Sequence, residues 1–83
     1  MTTTTIHPSA TIDPGAVVGA GVTIDPGARV CEGATIDPGA FVAEQAIIGP
    51  GATVGRDAII YPGAVVGAGA VVPAGAIIEE DRQ

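Results

Sequence analysis

The sequence lacks several residue types that globular domains normally use. It contains no leucine, lysine, asparagine or tryptophan, and aromatic residues make up 2% of its 83 residues. Leucine is among the commonest residues of soluble domains, so this bias needs an explanation. A GC-rich source genome or a consensus-like designed sequence would each account for it. A chain of this length forms one domain at most, and a single core would give it only modest stability.

Positive charge and cysteine are also scarce. Three arginines stand against nine acidic residues, giving a net charge of −6. Because such a chain repels phosphate backbones and anionic membranes, neither nucleic acid nor membrane is an expected partner. The single cysteine, Cys31, excludes an intramolecular disulfide and fits a reducing compartment. With no signal peptide or long apolar run visible, the expected location is the cytoplasm.

What the sequence does contain is a six-residue repeat. From Ile6 onward every sixth residue is Ile or Val, at thirteen positions without an insertion. Three residues after these positions Gly occurs nine times, and four residues after them Ala occurs eleven times. An inward β-branched residue with outward neighbours predicts a short strand, and Pro-Gly predicts a type II turn. The period fits neither an α-helix nor collagen.

Each hexapeptide therefore predicts one short strand followed by one corner. The corner bends the chain only part-way, so a strand pairs with the strand one full coil later, giving a solenoid with coils about 4.8 Å apart. The predicted domain is 1–83, with the repeats at 6–83 after a lead-in at 1–5. Arg82 stands where Ala otherwise points inward, which predicts that the solenoid stops there.

The segments "IHPSATIDPGAVVGAGVT" and "VGAGAVVPAGAII" resemble the hexapeptide-repeat transferases. The resemblance implies an all-β fold, a left-handed parallel β-helix with about four coils of three hexapeptides. Its left hand comes from the resemblance alone. Since these proteins typically pack three prisms around a three-fold axis, it also implies self-association as a homotrimer.

One face of the predicted solenoid is the candidate subunit interface. Side chains eighteen residues apart share a face, and one face becomes apolar toward the C-terminus and holds both large aromatics. Contiguous exposed apolar patches usually mark interfaces, although ordinary β-propensity on an exposed sheet is the alternative. The predicted interface residues are Phe41, Ala43, Ile59, Tyr61 and Ile77.

The repeated "TIDPGA" segments offer three carboxylates, at Asp13, Asp25 and Asp37. Their twelve-residue spacing puts them on three different faces of an eighteen-residue coil, so they cannot converge on a cation and are interpreted as turn formers. No metal site is predicted. The γ-class carbonic anhydrases, a second branch of the same fold, bind zinc through three histidines, and one histidine per chain cannot supply them.

His7 is the only histidine and the only candidate catalytic residue. In hexapeptide acyltransferases a histidine acts as general base near a subunit interface. However, "IHPSA" matches the opening coil of those enzymes, which favours a structural or capping role, and Asp25 one coil above is a predicted partner. Cys31 is expected to face outward near a corner, without a histidine on its face to activate it.

The leading prediction is a non-catalytic structural or oligomerisation solenoid without cofactors, a minimal or engineered scaffold. The unbroken repeat supports it, because family transferases usually carry interrupting loops and a helical extension. The alternative is a small trimeric acyltransferase that uses acyl-CoA or an acyl carrier protein, with His7 as base. An ice-binding array is disfavoured because Arg29 and aliphatic residues interrupt the threonine columns.

Overall fold

The computed structural model describes residues 4–79, which form a β-solenoid with one two-residue strand per hexapeptide. The strands are β1 Thr5–Ile6, β2 Thr11–Ile12, β3 Val17–Val18, β4 Thr23–Ile24, β5 Arg29–Val30, β6 Thr35–Ile36, β7 Phe41–Val42, β8 Ile47–Ile48, β9 Thr53–Val54, β10 Ile59–Ile60, β11 Val65–Val66, β12 Val71–Val72 and β13 Ile77–Ile78. Across this range the chain has no helix of the length and apolarity needed to cross a membrane. The predicted stop at Arg82 lies outside the described residues.

The strands form three parallel sheets, one on each face of a triangular prism. Sheet A has the order β1-β4-β7-β10-β13, sheet B the order β2-β5-β8-β11, and sheet C the order β3-β6-β9-β12. Each strand pairs with the strand eighteen residues away, as Thr5 does with Thr23. The predicted coil of three hexapeptides is therefore confirmed, and the fold is the expected left-handed parallel β-helix of about four coils.

The inward column of β-branched residues forms the core. In the inner coils these side chains are fully buried, and Ile36, Ile48 and Ile60 are each 0% exposed. The alanines that end the corners, such as Ala46 and Ala52, complete the same cluster. Fully burying an aliphatic side chain contributes about 1.5–3 kcal/mol, so the stacked columns are the main source of stability.

Each corner has four residues, and within residues 4–79 all corners except 19–22 close through a backbone hydrogen bond from the fourth residue to the first. In the corner 13–16 the Ala16 N–H donates to the Asp13 carbonyl at 3.2 Å, and Gly15, the third residue, has φ 82°. Pro at the second position and positive φ at the third define the predicted type II turn. This turn exposes its central peptide to the adjacent coils, so the Gly51 N–H donates to the Glu32 carbonyl one coil below at 3.0 Å.

Two corners adopt this conformation without glycine. Gln45 and Asp57 occupy the third position with φ 60° and 58°. Left-handed backbone costs a non-glycine residue roughly 1–2 kcal/mol, so the surrounding coils must impose it. The Gln45 N–H donates to the Pro26 carbonyl at 3.1 Å. This corner therefore forms the same backbone hydrogen bond to the coil below as the neighbouring corners do.

Candidate functional site

The only histidine lies in the first corner, residues 7–10, with its side chain exposed. The Ser9 N–H donates to His7 Nδ1 at 3.2 Å, and the Ser9 hydroxyl lies 3.1 Å from the same nitrogen. A nitrogen that accepts an N–H has no proton of its own, so the neutral ring carries its proton on Nε2. The lone pair of the imidazole is therefore used within the corner.

The Ser9 hydroxyl takes the place of a backbone carbonyl as the acceptor of a hydrogen bond from the next coil. The Gly27 N–H donates to Ser9 Oγ at 3.1 Å, whereas from the corner 19–22 to the corner 55–58 the carbonyl of the second residue is the acceptor. Ser9 does not adopt the positive φ that third residues have in the other corners, so its turn differs from theirs. His7 and Ser9 together complete the hydrogen bonding of the first corner. This geometry supports the predicted capping role of His7.

The expected pairing of His7 with Asp25 is wrong. Strand register does place Asp25 one coil above His7, but the imidazole contacts Ser9 instead. The ion pair recorded among residues 4–79 joins Arg29 Nη2 and Asp13 Oδ2 at 3.7 Å. A histidine general base is commonly oriented by a carboxylate, and within these residues His7 has none in contact.

The three aspartates of the "TIDPGA" segments are scattered as predicted. Asp13 begins a corner between sheets B and C, Asp25 one between sheets A and B, and Asp37 one between sheets C and A. Cys31 is half-exposed at the start of the corner 31–34, the position expected from the sequence. Residues 4–79 contain no group of three or more His, Cys, Asp or Glu side chains that could hold a metal ion.

Sheet A brings the predicted interface residues together. Phe41, Ile59 and Ile77 are paired neighbours on β7, β10 and β13, with Ile77 53% exposed. Tyr61, just beyond β10, is 40% exposed, whereas Ala43 is 3% exposed and offers a partner little contact area. The patch therefore consists of Phe41, Ile59, Tyr61 and Ile77.

The other two faces expose aliphatic side chains in shorter groups. On sheet B, Ile47 pairs with Val65, and Arg29 follows on the N-terminal side. On sheet C, Thr35 and Thr53 separate Val17 from Val71. Sheet A thus carries the longest uninterrupted apolar column among the described residues.

An open depression of about 310 Å³ lies where sheet C turns into sheet A, lined by Ala20, Pro38, Gly39, Arg56 and Asp57. The sequence interpretation did not predict it. Asp57 occupies the third corner position, which holds Gly in most corners, and Arg56 the second, which holds Pro in six of them, so this departure from the repeat was the available signal.

Comparison with known proteins confirms the resemblance inferred from the repeats. The family model described as bacterial transferase hexapeptide (six repeats) matches residues 3–38. The match covers less than half of the chain, and together with the coil geometry it shows a β-solenoid similar to those of the hexapeptide transferases. No curated protein gives a significant match.

Among solved structures, the chain is similar to a mutant perosamine N-acetyltransferase from Caulobacter crescentus, solved in complex with CoA and GDP-perosamine. Identity is 25%, the match covers 96% of this chain and 50% of that one, and the TM-score is 0.68. PerB from the same organism, also with CoA and GDP-perosamine, has 26% identity, the same coverages and a TM-score of 0.59. This chain therefore spans half the length of these proteins.

A further structural match is the CcmM N-terminal domain in complex with CcmN. Identity is 21%, the match covers 98% of this chain and 82% of that one, and the TM-score is 0.59. A similarity at this level of identity shows the shared solenoid fold alone.

Proposed function

We propose that this domain is a non-catalytic, self-associating β-solenoid that assembles as a homotrimer through the outward face of sheet A. The observation that carries the proposal is the apolar column of Phe41, Ile59 and Ile77 with Tyr61 beside it. Tyr61 and Ile77 are exposed and Phe41 and Ile59 are half-buried. Apolar side chains in one contiguous patch lose their remaining contact with water when a partner covers them. The proposed assembly needs no cofactor.

The state of the histidine supports a structural interpretation over a catalytic one. A general base needs a lone pair directed at the proton it removes. In His7 the accepting nitrogen is already bound to Ser9, and Nε2 carries the proton. With Nδ1 bound to the Ser9 N–H, that lone pair is not directed at a substrate.

The oligomeric mass of the wild-type chain and of Ile59→Glu tests this proposal. Sedimentation equilibrium is expected to give a trimer for the wild type and a monomer or aggregate for Ile59→Glu, because the variant places a carboxylate in the middle of the patch. Val71→Glu is the matched control, since Val71 is 72% exposed on sheet C. An unchanged trimer in Ile59→Glu contradicts the assignment of the interface.

An acyltransferase is the second candidate, favoured by the similarity to perosamine N-acetyltransferase over 96% of this chain. In that case the chain uses acyl-CoA or an acyl carrier protein, and His7 is the general base near a subunit interface. Release of free thiol from acetyl-CoA in the presence of amino-sugar acceptors measures this activity. Turnover that His7→Ala abolishes and Ser9→Ala retains would overturn the non-catalytic proposal.

A further inference from the structure

The two edges of sheet A differ in charge. One edge, which we call the Glu44 edge, is the stack of corners that follow its strands, 7–10, 25–28, 43–46 and 61–64. The other, the Arg56 edge, is the stack that precedes them, 19–22, 37–40, 55–58 and 73–76. Arg56 is the sole arginine that the described structure places on either edge, while the Glu44 edge carries His7 in its first corner and gains negative charge from Asp25.

Both side chains are exposed at the second position of their corners. Neither Glu44 nor Arg56 forms an ion pair with another residue in the range 4–79, in contrast to Arg29, which contacts Asp13. The acidic groups on the Arg56 edge are Asp37, which is half-buried, and Asp57, whose carboxylate lies over Gly39 in the coil below. The Arg56 guanidinium is thus directed to solvent beside the apolar patch.

Glu44 and Arg56 also lie at nearly the same height along the solenoid. The chain rises by one strand spacing in each eighteen-residue coil, so these positions, twelve residues apart, differ in height by about 3 Å. Long side chains span such an offset. In any assembly with parallel solenoid axes and sheet A at the contact, the Arg56 edge of one copy faces the Glu44 edge of the next.

We propose that Arg56 of one copy pairs with Glu44 of the neighbouring copy, and that this pair selects parallel association. An antiparallel dimer through the same face would bring each edge against its own kind. Arg56 would then face the edge that carries the second Arg56, with only the half-buried Asp37 and the Asp57 carboxylate over Gly39 as acidic groups, and Glu44 would lie beside acidic groups. Unlike charges at matching positions stabilise one arrangement, and like charges disfavour the other. This inference rests on the proposed self-association through sheet A.

A charge-reversal cycle measured by sedimentation equilibrium tests the pairing. We expect Arg56→Glu and Glu44→Arg each to raise the concentration at half-association by about tenfold, and the double variant to return within about threefold of wild type. The double variant keeps the net charge of −6, which separates pairing from overall repulsion. Arg56→Gln is expected to weaken association by about threefold.

Glu32→Arg is the matched control, because Glu32 has the same corner position on the stack between sheets B and C, away from sheet A. It is expected to change association by less than about threefold. Unchanged circular dichroism and thermal midpoints establish that each variant folds.

The outcomes separate the two proposals. A wild-type chain that stays monomeric overturns both the self-association and the pairing. A wild type that associates but is insensitive to Arg56→Gln, or a double variant that is no better than the single variants, overturns the pairing alone. Tighter association in Arg56→Gln indicates antiparallel packing and likewise overturns it.

Discussion

The first coil and an inner coil are built from the same residue types but are stabilised differently. In the inner coil 41–58 the three inward residues, Val42, Ile48 and Val54, are 0% exposed. In the first coil Ile6 is 41% exposed, and Ile12 and Val18 are partly buried against the cluster. Because each coil contacts only its neighbours, one repeat motif contributes differently at the end and in the middle of the stack.

The corners differ in the same way. Inner corners join their neighbours through backbone groups, as when the Gly63 N–H donates to the Glu44 carbonyl at 3.0 Å. The first corner depends on side chains instead, with the Ser9 hydroxyl accepting the Gly27 N–H. At Ser9 the departure from the repeat sequence coincides with a side-chain acceptor in place of a backbone carbonyl, whereas Gln45 keeps the backbone hydrogen bond to the coil below.

The largest expected difference between the two coils concerns the inward isoleucines. Ile48→Ala leaves a cavity in a fully buried column and is expected to lower the free energy of unfolding by about 3–4 kcal/mol. Ile6→Ala removes a side chain that already contacts water and is expected to cost about 1 kcal/mol. Urea unfolding followed by circular dichroism measures both. Equal losses would show that position in the stack does not matter.

A smaller difference is expected at two equivalent glycines, eighteen residues apart at the first position of their corners. A Cβ added to Gly49 would lie 2.7 Å from Ala68 N and Val66 O, whereas one added to Gly67 meets nothing within 4 Å. Gly49→Ala forces the next coil to shift and is expected to cost about 2 kcal/mol.

Gly67→Ala, by contrast, is expected to be neutral or to stabilise the domain by about 0.5 kcal/mol, because it restricts the unfolded chain without a clash. Thermal unfolding of the two variants provides the comparison. A penalty at Gly67 as large as at Gly49 would contradict the role of the covering coil.

The sequence predicted the fold of the inner coils because each position of the repeat specifies one local structure, namely an inward side chain, an outward side chain or a corner residue. Branched aliphatic residues eighteen positions apart, at Ile24, Val42 and Ile60, identified the inward face. The eighteen-residue coil then placed Phe41, Ile59 and Ile77 in the observed register. The hand of the solenoid could not come from periodicity, since a repeat specifies spacing and alternation but not the sense of the coil.

The details that the sequence did not predict lie where residues depart from the repeat. Gln45 and Asp57 replace glycine but keep its positive φ, because backbone bonds to adjacent coils outweigh their own preference. The sequence suggested Asp25 as the partner of His7 through vertical alignment. Ser9, two residues away, forms the contact because a nearby hydroxyl and N–H require less ordering of the chain.

At the first corner, removing the Ser9 hydroxyl tests the hydrogen bond in which its oxygen replaces a backbone carbonyl as acceptor of the Gly27 N–H. Ser9→Ala leaves the Gly27 N–H without its acceptor and is expected to lower stability by about 1 kcal/mol. The effect should be local, so hydrogen exchange at the Gly27 amide is expected to accelerate more than exchange in the inner coils. Ser9→Thr keeps a hydroxyl and serves as the control. An unchanged Gly27 exchange rate in Ser9→Ala would exclude this hydrogen bond.

The smallest expected effect has the opposite sign and concerns an inner corner. Gln45→Gly removes a left-handed non-glycine residue, which relieves roughly 1–2 kcal/mol of strain, but glycine loses about 0.5–1 kcal/mol more backbone entropy on folding. The net expectation is a stabilisation of about 0.5 kcal/mol, measured by urea unfolding. Glu32→Gly, one position earlier in its corner and without positive φ, has no strain to relieve and is expected to destabilise by about 0.5–1 kcal/mol. If both glycines destabilise the domain equally, the inner corners impose no strain on Gln45.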